Sequence, residues 1–156
     1  MRKIFPIFLL LISLLSCEAP DKVNFTQKAL QDTFIRLETG KETTFESILK
    51  THKGKTILID IWASWCKDCI VGMPIVKQLQ KDYPEVVFLF LSLDKNQKDW
   101  KKGIDRFKIQ EGVHYFNPRG WKSPFNKSID LDWIPRYIIV NPEGKLSLFE
   151  ATKASD

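Results

Sequence analysis

Thr56-Ile57-Leu58-Ile59-Asp60-Ile61-Trp62-Ala63-Ser64-Trp65-Cys66-Lys67-Asp68-Cys69 is the stretch on which the fold turns. Thr56 to Ala63 is apolar on both faces apart from its first residue and Asp60, which marks a strand buried on both sides, as at the centre of a parallel sheet. From Cys66 to about Lys81 the period changes. Ile70, Met73, Val76 and Leu79 recur at helical spacing, Pro74 is expected to kink the helix, and Tyr83-Pro84 ends it. The two cysteines therefore sit where a strand hands over to a helix. The free N–H groups and dipole of a helix start favour negative charge. A thiolate there is stabilised, and its pKa falls from about 8.5 into a range of about 3.5–7.5. Cys66 lies at the open end and is the candidate attacking thiolate. Cys69, one turn deeper, is the candidate resolving thiol. At this spacing the pair can close a small disulfide ring, which holds a long chain together poorly but exchanges by thiolate attack. A structural disulfide, half of a zinc site, or two inert thiols are the alternatives. Zinc needs further ligands, and only His52 and His114 are offered.

Outward from this stretch the elements alternate. Thr33 to Leu37 reads as a strand ending at Thr39-Gly40, and Thr44 can cap a short helix, Phe45 to Leu49. Downstream, Val86 to Leu93 is a second apolar strand closed by Asp94. A helix from about Asn96 to Phe107 carries Trp100, Ile104 and Phe107 on one stripe. Val113 to Phe116 is a short strand, Asn117 to Gly120 a loop, and Ser123 to Ile129 a short helix. Tyr137 to Val140 and Leu146 to Phe149 are strands joined by Asn141-Pro142-Glu143-Gly144, a hairpin turn signal. The order predicts an α/β fold with a βαβ core and an antiparallel edge.

Length and composition agree. The 156 residues fit one domain, and 44% hydrophobic content excludes a disordered, collagen-like or disulfide-dense chain. Lys95, Lys98, Lys101, Lys102, Arg106 and Lys108 form a basic run, but mostly opposite the apolar stripe, so they read as a solvated face. No nucleic-acid partner is expected. The third cysteine, Cys17, belongs to another part of the chain. Arg2 and Lys3 precede an uncharged run, Ile4 to Leu15, too short to span the ~30 Å core of a bilayer. With small Ser16 this is a secretory signal peptide at 1–16. Leu14-Leu15-Ser16-Cys17 resembles the lipobox of bacterial lipoproteins, which implies cleavage before Cys17 and lipidation of Cys17. The domain plan is then signal 1–16, a polar membrane tether 17–32, and one domain over 33–156.

Asp60 to Cys69, with Pro74 five residues on, resembles the active-site stretch of thioredoxins. Trp133-Ile134-Pro135-Arg136-Tyr137 followed by Asn141 to Lys145 resembles the family's cis-proline segment and the hairpin after it. The signal, the Phe34 to Leu49 segment and the long gap between the motifs are most similar to the TlpA/ResA-type thiol-disulfide oxidoreductases. The resemblance covers roughly residues 33 to 150. It implies a thioredoxin fold, a central mixed β-sheet flanked by helices, and a CxxC pair, Cys66 and Cys69, acting as a redox-active disulfide with no other cofactor and no metal. It implies that Pro135 is cis, lies beside the cysteines and lets the adjacent Ile134 backbone pair with a substrate strand. It assigns Asp60 as the buried acid that helps deprotonate Cys69, and burial should raise its pKa. Trp65 is expected at the rim and Trp62 in the core.

Several residues depart from the family. Lys67 and Asp68 replace the usual Gly-Pro or Pro-Pro, one favouring thiolate and the other opposing it. Trp133 stands where glycine is usual, and is expected to narrow the docking groove or to offer an apolar contact. Arg136 replaces threonine and is expected to add charge near the site. The family's usual C-terminal helix is missing, so either an apolar sheet face is exposed or the reading frame is truncated. The expectation is a membrane-anchored lipoprotein of the cell envelope, extracytoplasmic and on the periplasmic face in a Gram-negative cell. It exchanges disulfides with protein thiol substrates, and as a reductant it needs a membrane electron donor. Ile134 before Pro135 resembles the reducing thioredoxins. The rivals are a copper-handling protein using Cys66, Cys69 and His114, and a non-catalytic binding lipoprotein of the same fold.

Overall fold

The computed structural model describes residues 24–155. The signal at 1–16, Cys17 and the first residues of the expected tether lie outside the described residues. β3 (Ile57–Trp62) is central, as its apolarity on both faces requires, with every residue but Leu58 buried. It pairs in parallel with β4 (Val87–Ser92) and antiparallel with β6 (Arg136–Val140). β5 (Val113–Phe116) extends the parallel set beyond β4. β1 (Thr33–Arg36) and β2 (Glu42–Thr44) add an antiparallel hairpin on that side, and β7 (Leu146–Ala151) closes the other edge. The result is one seven-stranded mixed sheet in the order β2-β1-β5-β4-β3-β6-β7.

Two long helices make the parallel crossovers. α3 (Lys67–Asp82) joins β3 to β4 and continues through Pro74, and α4 (Gln97–Phe107) joins β4 to β5. Both lie on the sheet face that carries Asp60 and Trp62. A Cβ at Gly103 of α4 would stand 3.3 Å from the Trp62 ring, and one at Gly72 of α3 would stand 2.8 Å from Tyr137 Oη. Tyr137 is the cross-strand partner of Asp60, so their side chains share this face. Lys77 Nζ donates to the Phe107 carbonyl at 2.7 Å, tying α3 to the end of α4. Trp100 and Ile104 are buried, and the six basic residues of this region are all exposed.

The domain begins earlier than residue 33. The expected tether at 17–32 holds, in its described part, α1 (Gln27–Leu30), capped by Thr26 and with Ala29 fully buried. Phe25 meets Phe45 of α2 (Phe45–Thr51) edge-on at 4.8 Å and stacks on Phe125 of α5 (Pro124–Ser128) at 5.7 Å. Phe34 completes this aromatic cluster. Three apolar residues, Phe25, Ala29 and Leu30, over so short a span set no period among polar neighbours, so the segment reads as linker although aromatic burial fixes it to the domain.

Among the described residues no helix follows β7. The sheet beside α3 is left with an apolar trough of about 240 Å³, lined by Leu58, Leu79, Phe88, Ile139, Leu148 and Ala154 among others.

Candidate active site

Cys66 is the N-cap of α3. Its backbone is extended (φ −81°, ψ 106°), and its Sγ accepts the Cys69 N–H at 3.1 Å. A helix start leaves N–H groups without intrahelical partners, and here a sulfur takes one of them. Cys66 and Cys69 form a disulfide, their Cα atoms 5.3 Å apart. Cys66 is 6% exposed and Cys69 1%, so the outer sulfur is the one an incoming group meets first.

The turn that presents them is pinned by Asp94, at the end of β4. Its carboxylate accepts the Ser64 N–H, 3.1 Å from either oxygen, and the Ser64 hydroxyl at 2.6 Å, while Ser92 Oγ donates to the other oxygen at 2.8 Å. Sequence reasoning saw Asp94 only as the end of a strand. Its partner lies thirty residues away, and the one local signal was a charged residue ending an apolar run.

On the other side, the Ile134–Pro135 peptide bond is cis, and the Ile134 carbonyl oxygen lies 3.6 Å from Cys66 Sγ, where a Cys66 thiol would donate. The β3–β6 ladder ends at the Ile61–Arg136 pair, so the backbone of Trp133 and Ile134 lies outside it. Trp65 and Trp133 are more than half exposed and line, with Cys66, a groove of about 370 Å³. Trp121, missed by the sequence reading, lines it too. Trp62 is fully buried in the core.

Arg136 corrects an expectation. It does not offer charge to the site. Its side chain is 7% exposed, donating to Asp132 Oδ1 at 2.6 Å and to the Phe149 carbonyl at 3.4 Å. Successive residues of a strand point to opposite faces, so Tyr137 goes under α3 and Arg136 turns away from it.

Asp60 is 1% exposed, and neither carboxylate oxygen has a hydrogen-bond partner. Burial without compensation pushes its pKa up to about 8. Tyr137, across the ladder, also has an unpartnered hydroxyl, and burial together with the Asp60 charge pushes its pKa up. At neutral pH Asp60 is thus mostly protonated and can give or take a proton beneath α3.

His114 does not join the cysteines. It is buried in β5, its ring stacked on Phe90 at 4.7 Å. Among the described residues no group of three or more His, Cys, Asp or Glu side chains is placed to hold a metal ion. Nor is any described helix long and apolar enough to cross a membrane.

A family model described as thioredoxin-like matches residues 54–146, which hold the cysteines, Asp60 and Pro135. The chain is 35% identical over 68 residues to the thioredoxin-like protein YneN of Bacillus subtilis, covering 41% of this chain and 40% of YneN. It is 32% identical over 111 residues to the thiol-disulfide oxidoreductase ResA of Bacillus thuringiensis, covering 64% of this chain and 61% of ResA. It thus spans less than two thirds of either relative. Among solved structures, a putative thiol-disulfide oxidoreductase from Bacteroides vulgatus superposes with a TM-score of 0.66 at 30% identity, covering 87% of this chain and 92% of that one.

Proposed function

The chain belongs to the thioredoxin-like family, and from that membership we propose that it is a thiol-disulfide oxidoreductase of the ResA type acting on protein cysteines. The observation that carries the reading is Cys66 Sγ, capping α3 on one side and lying 3.6 Å from the Ile134 carbonyl on the other, beside the cis Pro135. An incoming sulfur at this point meets a helix start that favours thiolate and a backbone edge free for strand addition.

In the reducing direction the Cys66 thiolate attacks one sulfur of a client disulfide. A Cys66–client disulfide forms, and the other client sulfur leaves as a thiolate and takes a proton. Cys69 then loses its proton to Asp60 in those molecules whose carboxyl is ionised, a minority at neutral pH that grows towards pH 8, and attacks Cys66 Sγ. The client leaves with its second thiol, and the Cys66–Cys69 disulfide closes. Two electrons have passed to the client, with one proton taken from water and one from Cys69 by way of Asp60. The disulfide is the only redox group this cycle needs, with no metal or organic cofactor. Trp65, Trp133 and Ile134 bind the client, and Pro135 shapes the edge on which it lies.

The protein works at the cell envelope, outside the cytoplasm, held to the membrane by lipid on Cys17. Because that compartment is oxidising, a membrane electron donor restores the dithiol. Ile134 before Pro135 favours reduction as the direction. Acid quench and alkylation of cells tests it: Cys66 and Cys69 mostly reduced supports a reductase, and mostly oxidised overturns that direction. Cys69→Ser should accumulate mixed disulfides with clients. Trapping that instead requires Cys66→Ser would reverse the two roles.

A further inference from the structure

The groove at Cys66 has a wall that the proposed reaction does not require. Trp121 is 41% exposed on a 3-10 turn, Gly120–Lys122, between β5 and α5. This turn is held from beneath. Asp32, fully buried, accepts from Arg119 Nη1 at 2.9 Å and from the Phe125 N–H at 3.0 Å. Asn126, also buried, donates from Nδ2 to the Gly120 carbonyl at 2.8 Å. Gly120 takes φ +52°, a conformation that side chains resist. A buried carboxylate is costly unless satisfied, and this one is spent on fixing the loop that carries an exposed indole.

The surface continues in both directions. Trp65 and Trp121 also line a second depression, with Ser64 and Lys95. Trp133 and Asp68 line a third, with Val71 and Ile75. Trp65 and Trp121 are shared between the Cys66 groove and the second depression, and Asp68 and Trp133 between the groove and the third. The Cys66 groove is thus flanked on two sides by depressions that share its indoles, an arrangement suited to an extended chain. Charge gives little preference. Lys67 and Asp68 are of opposite sign, and Asp132 is already paired with Arg136. Discrimination falls to the indoles, which favour aromatic partners in stacked or edge-on contact.

We infer that Trp121, with Trp65 and Trp133, selects clients whose reactive cysteine has an aromatic side chain within two residues of it. This rests on the oxidoreductase reading above and names the substrate class for the same site. The step is the first one of that cycle, with the client sulfur attacked and its partner thiolate leaving.

The test uses the full chain, reduced, and short peptides whose single cysteine carries a thionitrobenzoate leaving group, so that each attack releases a coloured thiolate. The peptides differ only in having Trp, Phe or Ala beside the cysteine. The aromatic peptides should react about five- to tenfold faster than the alanine peptide. That ratio should fall towards one in Trp121→Ala and be largely retained in Trp121→Phe. Equal rates for all peptides with the unaltered chain would overturn the inference while leaving the oxidoreductase reading intact. No release from any peptide would instead sink the oxidoreductase reading. A concentration-dependent dimer that Trp121→Ala abolishes would also overturn it, assigning the surface to a second copy of the chain.

Discussion

Asp60→Asn should stabilise the oxidised protein, and by an amount that grows with pH. An unperturbed aspartate titrates near 3.8, whereas buried Asp60 does so at about 8. Below both values the carboxyl is protonated whether the chain is folded or not, and it adds no pH dependence. Between them only the unfolded chain gives up the proton. The folded state then binds the extra proton, and stability falls as pH rises. One pKa unit is worth about 1.36 kcal/mol, so between pH 5 and pH 7 the penalty grows by roughly 3 kcal/mol. Above about 8 both states are ionised and it stops growing. Asparagine cannot titrate, so the variant lacks the slope, while every other titrating group cancels in the comparison. Denaturant unfolding of both oxidised proteins at pH 5, 6, 7 and 8 measures the difference. A gap that widens by roughly 3 kcal/mol from pH 5 to pH 7 supports the reasoning. A gap that stays constant would mean that Asp60 is solvated or paired, and its place in the proton path would fall with it. The acid thus lowers stability near neutrality, the expected signature of a group kept for chemistry rather than for the fold.

In the same variant, resolution by Cys69 should lose its dependence on a group of pKa about 8, read as the pH profile of mixed-disulfide decay. An unchanged profile would remove Asp60 from that step. Asp94→Ala leaves the Ser64 N–H and hydroxyl without their acceptor and should cost about 2–3 kcal/mol in unfolding experiments. It should also slow client exchange, because the turn before Cys66 is released. A fall in stability with exchange untouched would show that Asp94 does not position the cysteine. Gly72→Ala brings a methyl to 2.8 Å from Tyr137 Oη, so it should destabilise the protein despite alanine's better helix propensity. In a Tyr137→Phe background it should become stabilising by up to about 1 kcal/mol. Additive effects across that cycle would deny the contact.

The motif, both central strands, the two long helices and the closing hairpin were legible because each depends on local period or turn chemistry. Cys66 and Cys69 stood out from the strand-to-helix pattern around them, whereas Asp60 and Pro135 were given their roles only by the resemblance to thioredoxins, since the Ile134–Pro135 segment meets Cys66 from 68 residues away. What escaped reading depends on distant partners. Asp94 acts on Ser64, and Asp32 on Arg119 and Phe125, across spans that no window covers. β2, three residues at a sheet edge with none buried, carries no apolar signal at all. Arg136 misled because adjacency to Pro135 suggested adjacency to the site. The two-residue period of β6 decides otherwise, and the missing signal was the exposed Asp132 four residues earlier that its guanidinium meets.

The cap on α3 has a thermodynamic corollary. The sulfur proposed to exchange with clients is also the atom that closes the first turn of a sixteen-residue helix. A thiolate accepts the Cys69 N–H more strongly than a disulfide sulfur does. By a closed cycle, the extra folding stability of the dithiol over the disulfide form, relative to the same pair in the unfolded chain, equals the shift in reduction potential, at about 30 mV per 1.4 kcal/mol. The cap draws the couple towards an oxidant, and Asp60 beneath the helix, once it ionises near pH 8, opposes a thiolate and draws it back. Melting the two redox forms side by side therefore measures the electrochemistry of this protein without an electrode.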